Sequence, residues 1–410
     1  MKKKLLIIGL IILGLLIAFF FYKKVNKKEN NPKPVSLTDK FDINLLKLVN
    51  NTNTNNNNYL VSPYSIKMAL SLLKEGSNNN TLKEIDKVLN EKVSIINNEN
   101  IKIANALFIR DKYQKFIEKD FINNLKNKYK SEVLVDEFKT PKIINDWVNK
   151  NTDGMIKKIL DEMDDSFVLG LANAIAIDVK WDNEFECVNT KKEKFTTIDN
   201  KKIDVSMMHN TYTYENVSYI KSDNAKGIIL PYERDTKLEF IGILPNEDMS
   251  TYIDKYFEKD LEALDKITEK ASNKLHINLS IPKFDFSYSL DNFKDILINM
   301  GIKDAFDAEK ADLTKMITRE NLDKEHLGNL YVDDAIHKTY IDFNEVGTKA
   351  AAVTYFGVKN TSAMMPDDYK EVNIIFNKPF IAMIREKESN EILFMGVINK
   401  PNTWAGASCK

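Results

Sequence analysis

Between Leu5 and Tyr22 the chain carries an unbroken run of apolar residues and glycine. Lys2, Lys3 and Lys4 precede it, and Lys23, Lys24, Lys27 and Lys28 follow it. At about 1.5 Å per residue the run spans roughly 27 Å as a helix, enough for a hydrocarbon core. Its end reads Ile17-Ala18-Phe19-Phe20-Phe21-Tyr22, without the small residues of a cleavage site and without a cysteine for lipid attachment. The run therefore reads as an uncleaved transmembrane signal anchor over residues 5–22, behind a basic segment at 1–4. Lysines at both ends leave its orientation undecided. Residues 23–37 are rich in Lys, Asn and Pro and read as a polar tether. No second break in composition follows, so residues 38–402 read as one body and 403–410 as a C-terminal tail.

The rest of the composition excludes more than it assigns. Across 410 residues, Lys+Arg 59 against Asp+Glu 60 give a net charge of -1 with 43% hydrophobic residues. That profile belongs to a globular protein and offers no electrostatic footprint for nucleic acid. Two cysteines, Cys187 and Cys409, cannot build a disulfide framework. Cys187 is expected to be buried and inert, and whether Cys409 pairs between molecules is left open.

Hydrophobic spacing supplies a coarse set of elements. Phe41, Leu45, Leu48 and Val49 recur at helical spacing. Ser62-Pro63 is a helix start, an N-cap followed by proline at the first helical position, and Gly76 suits its stop. Ile144 to Leu160 holds a helix with Trp147 and Val148 on its apolar side, and Ser287 to Met300 reads as a helix closed by Gly301. Leu171 to Trp181 reads as a strand buried in a large sheet. Ile374–Phe376, Phe380–Ile384 and Ile392–Val397 read as strands, the last two joined by a charged turn at Lys387–Asn390. Asn50 to Asn58 reads as a surface loop. Helices early and strands late make the class α+β.

Enzyme signatures are missing from the sequence. None of the 13 glycines forms a GxG pair, and there is no GK[ST], HExxH or GxSxG. Four scattered histidines and no CxxC give no basis for a metal cage. The expectation is a protein that is not an enzyme and needs no cofactor or metal.

Several blocks, in order along the chain, carry a resemblance. They include Val61-Ser62-Pro63-Tyr64-Ser65-Ile66, Asn105-Ala106-Leu107-Phe108 and Asn145-Asp146-Trp147-Val148. Leu171-Ala172-Asn173-Ala174 leads to Trp181, and Leu230-Pro231-Tyr232 and Ile281-Pro282-Lys283-Phe284 follow. The last are Gly301-Ile302-Lys303-Asp304-Ala305-Phe306, His337-Lys338, Asn344-Glu345-Val346-Gly347-Thr348-Lys349-Ala350-Ala351-Ala352-Val353 and Phe376-Asn377-Lys378-Pro379-Phe380. From about Thr38 to Pro401 the chain resembles the serpin family, in a bacterial-type, membrane-anchored form. The resemblance implies three β-sheets with surrounding helices and an exposed reactive-centre loop at about 345–370. It also implies a suicide-substrate inhibitor of serine or cysteine proteases, whose loop is cut and then inserts into the main sheet.

Alternation along an inserted strand sorts this loop into two faces. Thr348, Ala350, Ala352, Thr354, Phe356 and Val358 form a set without charge. Lys349, Ala351, Val353, Tyr355, Gly357 and Lys359 hold both lysines. With the first set inward no charge is buried, and a shift of one residue would bury both lysines. Gly347 is expected to supply a permissive backbone where the loop turns into the sheet. Glu345, Gly347, Thr348, Ala350, Ala351 and Ala352 thus form the implied hinge. Family spacing from Glu345 puts the scissile bond between Thr361 and Ser362. The stretch up to Phe376 is several residues longer than the commonest family loop, so Met364, Ala363 and Lys359 remain alternatives for the residue before the bond.

Inside the body, Ser62, Ser65, Asn173 and His337 resemble the polar cluster that governs sheet opening, and Trp181 the residue where the loop first enters. Three features depart from the family pattern: Val346 and Lys349 stand where acidic residues are frequent, and Val353 replaces a smaller residue. The expected partners are a target protease, held covalently, and the membrane through the N-terminal helix. No nucleic-acid partner is expected, and the molecule is expected to be a monomer with its body outside the cell. The rival reading is a non-inhibitory member of the family, acting as a surface binding or chaperone-like scaffold.

Overall fold

The computed structural model describes residues 39–348, apart from 91, 92, 97, 99, 214, 215, 325 and 327, together with residues 369–405. The anchor, the tether, the loop from Lys349 to Asp368 and the last five residues lie outside the described residues.

From the amino end, α1 (Lys40–Thr52), β1 (Tyr59–Val61), α2 (Pro63–Gly76) and α3 (Asn79–Leu89) lead into β2 (Ile101–Arg110). Next come α4 (Lys119–Tyr129), β3 (Glu132–Asp136), α5 (Lys142–Asn151), β4 (Leu169–Ile177) and β5 (Val179–Lys180). The strands β6 (Lys191–Thr196), β7 (Lys202–Tyr212), β8 (Ser218–Lys221), β9 (Ala225–Pro231) and β10 (Leu238–Pro245) follow. After the short α6 (Met249–Lys255) and α7 (Phe257–Glu262) come β11 (Thr268–Lys270), β12 (Leu275–Pro282), β13 (Phe284–Ser289) and α8 (Phe293–Met300). The chain closes with α9 (Arg319–Lys324), β14 (Lys338–Phe343), β15 (Gly347–Thr348), β16 (Lys370–Ile375), β17 (Phe380–Glu386) and β18 (Ile392–Ile398).

A seven-stranded antiparallel sheet, ordered β1-β18-β17-β10-β9-β8-β11, forms the central wall. Both of its faces are covered. Ile241, Ile243, Met383 and Val397 belong to one apolar cluster, while Phe240, Leu244, Ala382 and Ile384 belong to another. Successive side chains of β10 and β17 therefore enter different cores, which is why these strands read as continuous apolar runs rather than alternating ones. A second sheet runs β16-β12-β7-β6, with β16 parallel to β12.

The third layer is in two pieces. β3-β2-β4 make one and β13-β14-β15-β5 the other. β4 passes through Asp178 into β5, so the pieces share a top, but among the described residues no ladder joins β4 to β14. Ala106, Phe108 and Ala174 on the outer face pack beneath Ile144, Trp147 and Val148 of α5. Alternate residues Leu107 and Ile109 point into the main core instead.

Several sequence readings need correction. Ser287–Ser289 lie on β13, where Phe284-Asp285-Phe286-Ser287 alternates at strand period, and the helix begins only at Phe293. Gly301 does close it, at φ +117, in the left-handed region. α5 stops at Asn151, because Asp153 and Gly154 both take positive φ, and 152–168 runs on without helix. Gly76 ends α2 for a packing reason: a Cβ there would lie 2.3 Å from Met316 Cγ. Strands begin at Tyr59 and helices recur to Lys324, so the two are interleaved rather than segregated along the chain.

One buried ionic cluster pins the first helices to the wall. Lys67 of α2 is 2% exposed, with Nζ 3.1 Å from Asp39, 3.2 Å from Asp42 and 2.7 Å from Glu391. Asp39 also caps α1 by accepting from the Phe41 N–H. Burial pushes the Asp42 carboxyl up to about 7. A lysine inside a helix whose other face is apolar gave no sequence signal for this role.

Candidate functional site: an open strand slot and its mouth

Between β4 and β14 lies a cavity of about 990 Å³. Leu171, Ala172 and Ala174 of β4 line one side, His337 and Lys338 through Asp342 the other. Ile66, Ala69, Leu70 and Leu73 of α2 form its floor, and residues 155–168 after α5 pass along it. Among the described residues its two long walls are strand edges without ladder partners on the inner side, an arrangement open to a further strand.

A polar chain crosses the slot from lip to lip beneath this opening. The Ser62 N–H donates to His337 Nε2 at 3.0 Å. Ser62 Oγ accepts from the Ser65 N–H at 3.2 Å, which is the N-cap of α2. Ser65 Oγ donates to Asn173 Oδ1 at 2.5 Å, and Asn173 Nδ2 to Asn105 Oδ1 at 2.9 Å. Asn105 Nδ2 ends the chain on the Tyr129 carbonyl. Burial lowers the His337 pKa to about 4, so the ring is neutral at pH 7, and an accepting Nε2 leaves the proton on Nδ1. Ser62, Ser65, Asn173 and His337 all line the cavity, as does Thr348. Proline at the first position of α2 fixes where the helix begins, and hence where the two serines stand.

A second group surrounds the mouth. β15 pairs antiparallel with β14 at Phe343–Thr348 and antiparallel with β5 at Gly347–Lys180 and Thr348–Val179. A Cβ on Gly347 would lie 2.0 Å from the Val179 carbonyl oxygen and 2.8 Å from Lys180 Cα. The need for glycine here is therefore close approach to β5, beyond the permissive backbone that the sequence suggested. Thr348 is 4% exposed and its hydroxyl lies 2.5 Å from the Tyr232 hydroxyl. Trp181 donates from its backbone N–H to the Val346 carbonyl at 3.0 Å and from Nε1 to the Asn344 carbonyl at 2.9 Å. Its ring stacks on Tyr232 at 4.4 Å, with Phe343 at 5.1 Å.

Glu345 is held three ways just ahead of the slot. Lys283 Nζ lies 2.7 Å from Oε2, Thr190 Oγ1 donates to Oε1 at 2.8 Å, and the Phe185 N–H donates to its carbonyl at 2.9 Å. Asn344 Oδ1 accepts from the Val346 and Gly347 N–H groups, an Asx turn that aims the chain into the slot.

Tyr232, Lys283 and Asn105 stand in the quoted sequence blocks but were assigned no part there; only their pairing across elements distant in sequence gives them one. Of the implied hinge, Ala350, Ala351 and Ala352 lie outside the described residues, as do Lys359, Thr361, Ser362, Ala363 and Met364. Cys187 corrects an expectation: it is half-buried and disulfide-bonded, not an inert buried thiol. Among the described residues no group of His, Cys, Asp or Glu is arranged to hold a metal ion, and no helix is long and apolar enough to cross a membrane.

A mixed α+β body of several sheets, with β15 seated at the mouth of a gap that no described strand fills, defines the class of protein. The family model described as "Serpin (serine protease inhibitor)" matches residues 36–401, and the chain belongs to that family. The family is one of protease inhibitors rather than catalytic enzymes, which fits, at that level, a protein that is not an enzyme. It is 29% identical to an uncharacterised serpin-like protein of Methanosarcina acetivorans, over 87% of this chain and 84% of that one. It is 30% identical to the leukocyte elastase inhibitor of Xenopus tropicalis, over 88% of this chain and 97% of that one. The solved native state of the thermophilic serpin Tengpin superimposes with a TM-score of 0.74 at 29% identity, covering 89% of this chain and 93% of that one.

Proposed function

We propose that this chain is a suicide-substrate inhibitor of serine endopeptidases, with cysteine endopeptidases as a further target class. One observation carries the reading. Gly347–Thr348 runs antiparallel to both β14 and β5, so a chain continuing in the same direction would meet two open edges in antiparallel register. The loop that follows is the segment from Lys349 onward. Thr348 inward places the uncharged set of alternate residues toward the core.

The chemistry begins with the protease. Its nucleophile attacks a carbonyl in the loop, an acyl-enzyme bond forms, and the new amino terminus leaves. The freed loop then fills the slot, carrying the acylated protease with it before water can cleave the acyl bond. The hinge consists of Glu345, Gly347, Thr348 and Ala350 to Ala352. The polar chain through Ser62, Ser65, Asn173 and His337 sets how readily β4 and β14 part. The scissile bond falls at Thr361–Ser362, a small-residue site in keeping with the elastase inhibitors among the relatives.

Residues 5–22 anchor this monomeric inhibitor in the cell membrane of a bacterial host, with the body outside. There it guards the surface against surrounding proteases. The test mixes the purified chain with elastase-, subtilisin-, chymotrypsin-, trypsin- and papain-like proteases. A complex that survives denaturant, with a released peptide beginning at Ser362 by mass spectrometry, is the expected result. Clean loop cleavage without any complex would overturn inhibition in favour of a binding scaffold.

A further inference from the structure

Lys67 of α2 is surrounded by more negative charge than it can neutralise. Its three ammonium protons go to Glu391 Oε2 at 2.7 Å, Asp39 Oδ2 at 3.1 Å and Asp42 Oδ2 at 3.4 Å. All four side chains are more than nine-tenths buried. Asp42 Oδ1 lies 3.2 Å from the same nitrogen, yet accepts no hydrogen bond among the described residues, because no ammonium proton is left for it. Glu391 also accepts from the Ser94 N–H at 3.3 Å and Asp39 from the Phe41 N–H at 2.9 Å, whereas no backbone group donates to Asp42. Three ionised carboxylates against one ammonium would leave two buried charges uncompensated, which the interior tolerates poorly. A proton on Asp42 removes one of them, at the carboxyl with the fewest donors.

The charges follow from this geometry. Burial raises the Asp42 carboxyl to about 7; Lys67 opposes the rise, and Asp39 and Glu391 add to it. Burial lowers Lys67, but Asp42, Glu391 and Asp39 together outweigh that and keep it protonated. Tyr64 of α2, whose hydroxyl accepts from the Ile96 N–H, is pushed up by burial and stays neutral. α6 and α8 also pack on α1, but no charge of theirs acts on Asp42. The cluster shares its helix with the slot. Ser62, Ser65 and Ile66 line the cavity, and Lys67 stands two residues beyond Ser65, about 3 Å along the axis. The Ile66 N–H donates to the Ser62 carbonyl at 3.1 Å, so the N-cap and the turn that carries Lys67 move together.

We propose that the Lys67 cluster is a proton-operated latch on α2. With one proton bound, it seats the helix so that Ser62 and Ser65 tie β14 to β4. Release of that proton above neutral pH sets Asp42 against Asp39 and Glu391 and loosens the tie. The sign follows from the direction of the shift: the fold favours the protonated carboxyl, so the latch is closed in acid and opens as pH rises through 7. His337, at the far end of the polar chain, titrates near 4 and stays neutral across this window. The consequence for protease capture, an easier parting of β4 from β14 in alkaline surroundings, rests on the insertion reading above; the bound proton and its link to α2 do not.

The experiment is an NMR titration of the full chain in detergent, selectively labelled at aspartate carboxyls, histidine rings and serine amides, from pH 5 to pH 9. The Asp42 carboxyl should titrate in one step with its midpoint near 7, and the His337 ring and the Ser65 amide should follow with the same midpoint. In D42N that step should vanish from both reporters. An Asp42 midpoint below 5 would overturn the bound proton. A His337 ring and Ser65 amide that stay flat while Asp42 titrates, or that keep the step in D42N, would overturn the link to the slot. Should D42N not fold, Asp39→Asn decides, because asparagine still caps α1. Loss of the neighbouring charge should move the shared midpoint down by on the order of one unit, and an unmoved midpoint would overturn the cluster as its cause. No protease enters these readouts, so failure to inhibit would sink the insertion reading and leave the latch to be decided by its own data.

Discussion

Thr348 is the residue on which the proposed insertion register turns. Its side chain is buried against Tyr232 within the aromatic cluster of Trp181, Phe240 and Phe343, and no carboxylate faces it among the contacts described. Thr348→Arg would place an unpaired guanidinium there, at a cost of several kcal/mol. The variant should be cut by the target protease without forming a stable complex, as read on denaturing gels and by the inhibition stoichiometry. Unchanged stoichiometry would show that Thr348 does not enter the sheet inward. Asp42 supports a prediction of a different kind. Its folded-state pKa is raised by burial from 3.8 to about 7, so its contribution to stability is present in acid and is lost as pH rises through 7. Between pH 6 and pH 8 one such group removes about 1.4 kcal/mol. The urea midpoint should fall over that range, and Asp42→Asn should flatten the fall; an identical slope in the variant would place the effect elsewhere.

At the scale of elements, β15 matters out of proportion to its two residues. It lies in the mouth of the slot, and Gly347 lets it approach β5 more closely than any side chain would permit. Gly347→Ala sets a methyl group against the Val179 carbonyl, an overlap that costs roughly 1–3 kcal/mol. Capture of protease should slow by on the order of tenfold, measured as the rate of complex formation, while the rest of the fold keeps its thermal stability. Capture at the wild-type rate would mean that β15 need not sit against β5 for insertion to start. The polar chain works at the same scale. It joins the start of β14 to β4 and β2 through the N-terminus of α2, so the two edges are linked by side chains where they lack backbone pairing.

At the scale of the molecule, the slot is, among the described residues, a reserve of unmade hydrogen bonds. β4 is a nine-residue strand, and a chain matched to it would gain bonds worth about 1 kcal/mol each. The sum is on the order of 10 kcal/mol, comparable to the net stability of an ordinary domain. Cutting the loop should therefore raise the melting temperature by on the order of 10 °C or more, followed by calorimetry before and after limited proteolysis. A melting point that stays level or drops after the cut would mean the loop does not insert. The same open edges are a hazard, since a loop from a second copy could fill the slot.

Local signals carried much of this protein in its sequence. Ser62-Pro63 marked the start of α2, the apolar alternation around Leu171 marked β4, and Gly301 marked the end of α8, because caps, strand period and left-handed glycine are set within a few residues. Of the charge-free set beginning at Thr348, only Thr348 itself lies among the described residues, and it is buried. What the tertiary structure alone decided are relations between distant segments. That β4 and β14 stand apart, that Lys67 gathers Asp39, Asp42 and Glu391, and that Gly347 is needed for contact with β5 all depend on chain segments far from one another. Ser287 and Gly76 show the boundary from the other side: Ser287 was read as helix and is strand because it pairs with β14, while Gly76 does stop its helix but is held to glycine by Met316, and neither partner is contained in a local pattern.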